Sequence, residues 1–118
     1  MVLPGGAHSG VSQLRRGILQ FCVLALLRDG ERYAFELVRE LCDAHGLVTS
    51  EGTIYPLLSR LRKEGWVNTV WKESDSGPPR RYYTLTATGR RALDEFAGEW
   101  GPFKTAVDNL LDSEESHE

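Results

Sequence analysis

The spacing of apolar and polar residues along the chain changes once, near residue 66. Before that point apolar residues recur every three or four positions in the segments 12–28, 33–44 and 53–65, which predicts three α-helices. The first of these helices differs from the others because its second half is apolar on nearly every side. Such a helix must be covered from two directions, by its own domain and by either the C-terminal helix or a partner chain.

Single residues indicate where these helices begin and which side they bury. Ser12 is the expected N-cap of the first helix, and Pro56 fits the first turn of the third, where a missing N–H breaks no helical bond. The second helix is expected to bury Ala34, Leu37, Val38, Leu41 and Cys42, and the third Ile54, Leu57, Leu58 and Leu61.

Beyond residue 66 the period of the sequence pattern changes to two residues. The segments 66–73 and 80–86 are rich in aromatic and β-branched residues, which predicts two strands. Between them lies SDSGPP, a sequence of turn formers. We therefore expect a β-hairpin with a six-residue tip at 74–79.

Thr86 is the expected N-cap of a last helix that runs to about residue 111. Apolar residues repeat every three or four positions along it over five turns. Gly98, Gly101 and Pro102 interrupt this pattern, which predicts a kink near Gly98.

The predicted order of elements is helix, helix, helix, strand, strand and long helix. This is a mainly α fold with a small β-hairpin, typical of a winged helix-turn-helix followed by a long C-terminal helix. A length of 118 residues suits a single domain. We expect a flexible N-terminal arm at 1–11, the winged helix-turn-helix at 12–86, the C-terminal helix at 87–111 and an acidic tail at 112–118.

Charge is distributed unevenly along the chain, although the net charge is only −3. Residues 1–50 hold five basic and five acidic side chains, residues 51–91 hold eight basic and four acidic, and residues 92–118 hold one basic and eight acidic. The segment with the third helix and the hairpin is therefore basic, as is typical of a surface that binds nucleic acid.

Several classes of function find no support in the sequence. The N-terminus lacks a basic segment followed by an apolar stretch, and the longest apolar run is too short to cross a bilayer. We therefore expect a cytoplasmic protein with no membrane partner. A nucleophile beside a base, or paired carboxylates at a plausible spacing, is also missing, so an enzyme is not expected.

Neither a cofactor nor a metal site is predicted. The histidines, His8, His45 and His117, are too scattered to share a metal ion. Cys22 and Cys42 lie among apolar residues without a CxxC spacing, which predicts two buried, reduced thiols. A redox or metal role for these cysteines is the open alternative.

Two short helices joined by a tight turn and followed by a basic hairpin describe a helix-turn-helix with a wing. The second helix of such a pair enters the major groove, and the wing lies along phosphates or the minor groove. Candidate DNA contacts are Thr53, Tyr55, Ser59, Arg60 and Lys63 on the third helix and Lys72, Arg80 and Arg81 on the hairpin.

Successive strand residues point to opposite faces, so one of Arg80 and Arg81 is expected to face DNA and the other to cover the sheet. Two alternatives stay open at this point. The basic residues of the third helix can form a merely solvated face, and a winged helix can bind protein instead of DNA.

Two long motifs resemble the PadR family of bacterial transcriptional regulators. Residues 52–65, GTIYPLLSRLRKEG, resemble the recognition helix of that family, and residues 80–89, RRYYTLTATG, resemble its second wing strand and the start of its last helix. Residues 14–19, LRRGIL, are similar to its first helix. The resemblance covers roughly residues 13–90, and the short chain is similar to the smaller subgroup of the family.

The resemblance implies a repressor that binds a palindromic operator in double-stranded DNA as a homodimer and is released by a small molecule. It implies that the first helix and the last helix, 87–111, form the dimer interface. In some small members a tryptophan midway along the last helix lines a cavity where flat aromatic molecules stack. The candidate effector-binding residues are accordingly Phe21, Ala25, Trp100 and Lys104.

Two alternatives to this effector site stay open. Trp100 can simply fill the dimer interface. The protein can also be a DNA-binding regulator that senses no small molecule.

Overall fold

The computed structural model describes residues 10–43, 47 and 51–112. Most of the predicted N-terminal arm and acidic tail, and most of the turn between the second and third helices, lie outside the described residues. In chain order the elements are α1 (Gly10–Leu26), β1 (Arg32–Tyr33), α2 (Ala34–Asp43), α3 (Glu51–Lys63), β2 (Val67–Ser74), β3 (Gly77–Leu85) and α4 (Ala87–Asp112).

The first helix begins earlier than predicted. Gly10 and Val11 are helical, so the expected boundary of the arm at residue 11 is wrong and Ser12 lies within α1 instead of capping it. The reason is that Val11, Leu14 and Ile18 continue the helical spacing of apolar residues by one further turn. The helix ends in a turn closed by Gly30, whose φ of 145° favours glycine.

A short strand, β1, precedes the second helix where the sequence predicted helix from residue 33. Arg32 and Tyr33 pair with Tyr83 and Tyr82 of β3 in the antiparallel sheet β1-β3-β2. The backbone N–H of Tyr33 donates to the Glu36 carboxylate at 2.9 Å. This bond closes the N-terminus of α2 and fixes its first helical residue at Ala34, one position later than predicted.

The hairpin tip has two residues, Asp75 and Ser76, and the predicted six-residue tip is wrong. The ladder continues to the pair Ser74↔Gly77, with a register shift between Lys72 and Ser74. The prolines 78 and 79 lie in β3 at this irregularity. Proline is tolerated there because a β-bulge leaves residues outside the regular ladder.

One hydrophobic core joins the three N-terminal helices to the hairpin and the start of α4. The apolar stripes predicted for α2 and α3 are confirmed, except that Leu57 and Cys42 are only half-buried. The core consists of Leu19, Val23, Leu24, Leu27, Ala34, Leu37, Val38, Leu41, Ile54, Leu58, Leu61, Val67, Tyr83 and Leu93. These residues fix which side of each helix remains for other molecules.

Both cysteines carry free thiols and are half-buried at the edge of this core. Burial raises the pKa of the Cys22 thiol above its ordinary value, because desolvation disfavours the thiolate. A protonated thiol packed among apolar neighbours is a poor nucleophile and a poor metal ligand.

The cap of the last helix is confirmed. The Gly89 N–H donates to Thr86 Oγ1 at 2.9 Å, and that hydroxyl donates to the carbonyl of Gly65 at 2.6 Å. The sequence predicts a kink near Gly98, but α4 is one continuous helix across Pro102. This is tolerated because Gly98, four residues before the proline, is exposed and its freed carbonyl can bond water.

Candidate nucleic-acid interface

The exposed side of α3, the predicted recognition helix, is set by the residues that it buries. Ile54, Leu58 and Leu61 have no exposed surface and hold α3 against the core. The opposite side therefore faces outward and presents three exposed polar side chains, Thr53, Ser59 and Lys63. Tyr55 is 44% exposed on one flank of this side. Hydroxyl and ammonium groups on such a face can bond base edges and phosphates.

Arg60 contributes differently from the rest of the predicted contacts on α3. Its guanidinium lies 3.4 Å from the side-chain oxygen of Gln20 on α1 and 3.2 Å from the Glu64 carboxylate. The side chain is still about half exposed. Arg60 therefore connects the recognition helix to α1 as well as adding positive charge to this flank.

The wing, formed by β2 and β3, has an inner face toward the core and an outer face toward solvent. Buried Val67 and Tyr83 lie on the inner face, with Trp71 and Arg81 further along the same face. Lys72, Arg80 and Tyr82 lie on the outer face, together with Tyr33 of β1, which pairs with Tyr82.

Arg80 and Arg81 point to opposite faces of the wing, as the alternation predicted. The Arg80 guanidinium lies 4.7 Å from the ring centre of Tyr33 on the outer face, and the side chain is exposed. The Arg81 guanidinium lies 5.3 Å from the ring of Trp71 and 5.9 Å from that of Tyr83. Its Nε is buried and has no hydrogen-bond partner in the described part of the chain. Arg81 thus covers the sheet.

Lys72 has two partners on the outer face. Its ammonium group lies 5.0 Å from the ring centre of Tyr82 and forms an ion pair with the Glu31 carboxylate. Glu31 belongs to the turn between α1 and β1. The three wing cations are therefore each held over an aromatic ring, but only Lys72 also contacts an acidic side chain among the described residues.

A second candidate site is an apolar groove of about 420 Å³ between α1 and α4. Flat rings follow one another along it, with Phe96 and Trp100 centres 5.6 Å apart and Trp100 and Phe103 centres 6.1 Å apart. Among the residues that the structure describes, Glu99 is the one charged residue that lines it. The lining residues are Leu14, Ile18, Phe96, Glu99, Trp100 and Phe103.

Of the four predicted effector residues, the structure places only Trp100 in the lining of this groove. Phe21 stacks behind Phe96 with ring centres 4.1 Å apart, and Ala25 packs against the core. Lys104 is exposed and lies 4.0 Å from the Asp108 carboxylate. The other five lining residues were missed, although 96, 99, 100 and 103 share a helical face with spacings of three and four.

Other kinds of site are not seen in residues 10–43, 47 and 51–112. No group of three or more histidine, cysteine or acidic side chains is placed to hold a metal ion there. Within the same ranges no helix is long and apolar enough to cross a membrane.

Comparison with known proteins identifies the family of this chain. The sequence profile of the transcriptional regulator PadR-like family matches residues 23–95, which is more than half of the chain. The chain belongs to the PadR family. The match spans the recognition helix, the wing and the first turns of α4, so the resemblance seen in the motifs is confirmed.

Solved PadR-like structures share the whole fold. A PadR-like transcriptional regulator from Bacillus cereus is 41% identical, with a TM-score of 0.76 over 85% of this chain and 97% of the other. A PadR-family regulator from Eggerthella lenta is 38% identical, with a TM-score of 0.74 over 86% of this chain and 88% of the other. The winged helix fold is therefore established.

A curated relative gives the same functional class. A transcriptional regulator from Mycobacterium tuberculosis is 35% identical over 83 residues, which cover 70% of this chain and 76% of the relative. PadR-family proteins are transcriptional regulators that bind DNA and usually dimerise. The recognition helix and wing described above are the elements with which a winged helix binds DNA.

Proposed function

We propose that this PadR-family chain is a sequence-specific DNA-binding repressor that acts as a homodimer. The observation that carries the proposal is the exposed polar side of α3, which three fully buried residues orient outward beside a basic wing. Residues 51–91, which contain both elements, hold eight basic and four acidic side chains. Positive charge placed there attracts phosphates, and the polar side of α3 reads base edges.

The C-terminal half of α4 supports the homodimer. Every residue from 101 to 112 is exposed in the single chain, including Phe103 at 56% and Leu111 at 73%. Three turns of helix as exposed as these are not stable alone in water, and an apolar stripe on them needs a cover. Val11 and Leu14 of α1 are exposed as well. A second copy, packed through α1 and α4, covers the apolar stripe of α4 together with Val11 and Leu14.

A symmetric dimer presents two recognition helices related by a two-fold axis. Such a dimer binds two half-sites about one helical turn of DNA apart, roughly 34 Å, or multiples of that distance. The operator is therefore a palindrome, and binding close to a promoter would repress by exclusion.

Tyr55→Ala and Arg80→Ala test the division between base and phosphate contacts. Loss of a base contact at Tyr55 should weaken operator binding by about 1–3 kcal/mol and leave binding to random DNA nearly unchanged. Loss of a phosphate contact at Arg80 in each protomer should weaken both and lower the slope of log K against log salt by about 1.8 for the dimer, which is about 0.9 for each contact. Fluorescence anisotropy titrations at several salt concentrations measure both effects.

Arg81→Ala is the matched control on the wing, because its side chain lies on the inner face and its removal should leave the salt slope unchanged. An Arg80→Ala variant with the slope of the unmodified protein would contradict the assignment of the wing. If Tyr55→Ala lost equal affinity for operator and random DNA, Tyr55 would contact a phosphate and not a base.

The regulator is further proposed to respond to a flat aromatic effector in the apolar groove. Phe96, Trp100 and Phe103 offer ring faces for stacking, and Glu99 adds a negative charge that favours a cation. The groove is formed by the same two helices that form the proposed dimer interface. A ligand there would change how α1 and α4 pack and so how the two recognition helices are spaced.

Proflavine, a flat aromatic cation, is a suitable probe of the groove in the absence of DNA. We expect Trp100→Ala to weaken its binding, measured by dye anisotropy, by about ten-fold because one stacking surface is lost. Trp71→Ala removes an exposed tryptophan on the wing and serves as the control, with unchanged affinity. Equal affinities of the unmodified protein and Trp100→Ala would exclude the groove as the site.

A further inference from the structure

Two cations of the outer wing face, Lys72 and Arg80, are direct partners in the ladder but are held in different ways. Arg80 lies over the ring of Tyr33, and no acidic partner contacts it among the described residues. A ring covers only the face of a guanidinium, so the N–H groups at its edge remain available to a phosphate. Arg80 is therefore ready to bind DNA as it stands.

Lys72 is engaged by a carboxylate instead. Its ammonium group pairs with Glu31 while its side chain lies over Tyr82. An ammonium group acts as a compact point charge, and a carboxylate beside it neutralises the charge that a phosphate would bind. A DNA phosphate must displace Glu31 before it can use Lys72.

The fold places Glu31 at this point, 41 residues away from Lys72 in the sequence. Gly30, with its φ of 145°, closes the turn after α1, and its N–H donates to the carbonyl of Leu27 at 3.3 Å. The next residue, Arg32, pairs with Tyr83 in the sheet. Glu31 is thus fixed on both sides by backbone bonds, and its carboxylate is held next to the wing.

We infer that Glu31 competes with DNA phosphate for Lys72 and so limits the affinity of the wing for DNA. The inference rests on the proposed DNA-binding function. It makes Glu31 a residue that sets affinity without contacting DNA itself. While the ion pair between Lys72 and Glu31 is intact, Arg80 supplies the phosphate contact of the outer wing face. Lys72 contacts phosphate only after that ion pair has opened.

Glu31→Gln keeps the shape of the side chain and removes its charge. Because surface ion pairs are weak, we expect this variant to bind operator and random DNA about two- to five-fold more tightly. One additional phosphate contact in each protomer should also steepen the slope of log K against log salt by about 1.8 for the dimer, which is about 0.9 for each contact. In the Lys72→Gln background, Glu31→Gln should leave the slope unchanged and give a smaller gain in affinity.

Glu73→Gln is the matched control, since it removes the same charge from the residue next to Lys72. No ion pair of Glu73 is seen in the described ranges. We expect Glu73→Gln to gain less DNA affinity than Glu31→Gln and to keep the salt slope of the unmodified protein. The inference is overturned if Glu31→Gln matches the unmodified protein, if Glu73→Gln reproduces its effect, or if the gain does not depend on Lys72.

Failure of this inference can be told apart from failure of the proposed function. If the unmodified protein binds DNA in a salt-dependent way and Glu31→Gln has no effect, only the inference is wrong. If no variant, including the unmodified protein, binds DNA with a measurable salt slope, the proposed function itself is wrong. Thermal unfolding of each variant verifies that the compared proteins are folded.

Discussion

Gly89→Ala is expected to destabilise the protein by about 1–3 kcal/mol or more, because the new methyl group has no room. A Cβ at this position would lie 2.1 Å from the carbonyl oxygen of Trp66 and 2.9 Å from Leu85 Cδ1. The Trp66 carbonyl cannot retreat easily, since it accepts a bond from the Thr86 N–H at 3.1 Å. Relief requires that the start of α4 move away from the base of the wing.

Thermal or urea unfolding of the variant measures this effect. Gly98→Ala is the matched control, because it makes the same change in the same helix where no atom lies within 4 Å of the added Cβ. Alanine favours helix over glycine by up to about 1 kcal/mol, so this control should be as stable as the unmodified protein or more so. Equal stability of Gly89→Ala would mean that α4 does not pack on the wing as described.

The double variant Val107→Glu with Leu111→Glu is expected to convert the dimer into a monomer. Both residues lie on the apolar side of α4, one turn apart, and Leu111 is 73% exposed in the single chain. Two carboxylates buried in the proposed interface would have no partners. A monomer engages one half-site at a time, so operator affinity should fall about 100-fold or more with the loss of bivalent binding.

The control for this variant is Thr105→Glu with Asn109→Glu. It adds the same two charges at the same spacing, but on the opposite side of the same exposed helix. We expect it to remain dimeric by analytical ultracentrifugation and to bind the operator like the unmodified protein. Dissociation of both variants, or of neither, would contradict a dimer formed through this side of α4.

The buried sides of α2 and α3 could be predicted because each of these helices faces a single core. Ile54, Leu58 and Leu61 recur at helical spacing, and the structure buries all three completely. The cap of α4 was equally predictable, since Thr86 acts on its own near neighbours. Signals of this kind are local, and the tertiary structure has no reason to override them.

Several of the errors concern features that depend on residues far apart in the sequence. The two residues of β1 are too few to show a period, and they form a strand only because β3 lies beside them. The sequence predicts that the prolines of the hairpin lie in its tip, whereas a bulge opposite β2 accommodates them within β3. The lining of the groove likewise combines α1 and α4, so the spacing within one helix could identify Trp100 but not Leu14.

The wing shows most clearly what sequence alone leaves open. Alternation along β3 predicts that Arg80 and Arg81 point to opposite faces of the sheet, but not which of them faces outward. That choice is made by Tyr83, which is buried and shares the inner face with Arg81. The ion pair between Lys72 and Glu31 has no local signal, since a turn 41 residues away supplies the carboxylate.

We expect this PadR-family chain to recognise a particular DNA sequence, and selection from a randomised duplex library is the measurement that tests this recognition. We expect enrichment of a palindrome with half-sites about 10 base pairs apart. We also expect the enriched duplex to bind at least about 100-fold more tightly than a scrambled one, with an affinity that falls steeply with salt. Selection without an enriched motif, together with weak binding that salt does not change, would contradict sequence-specific DNA binding by this chain.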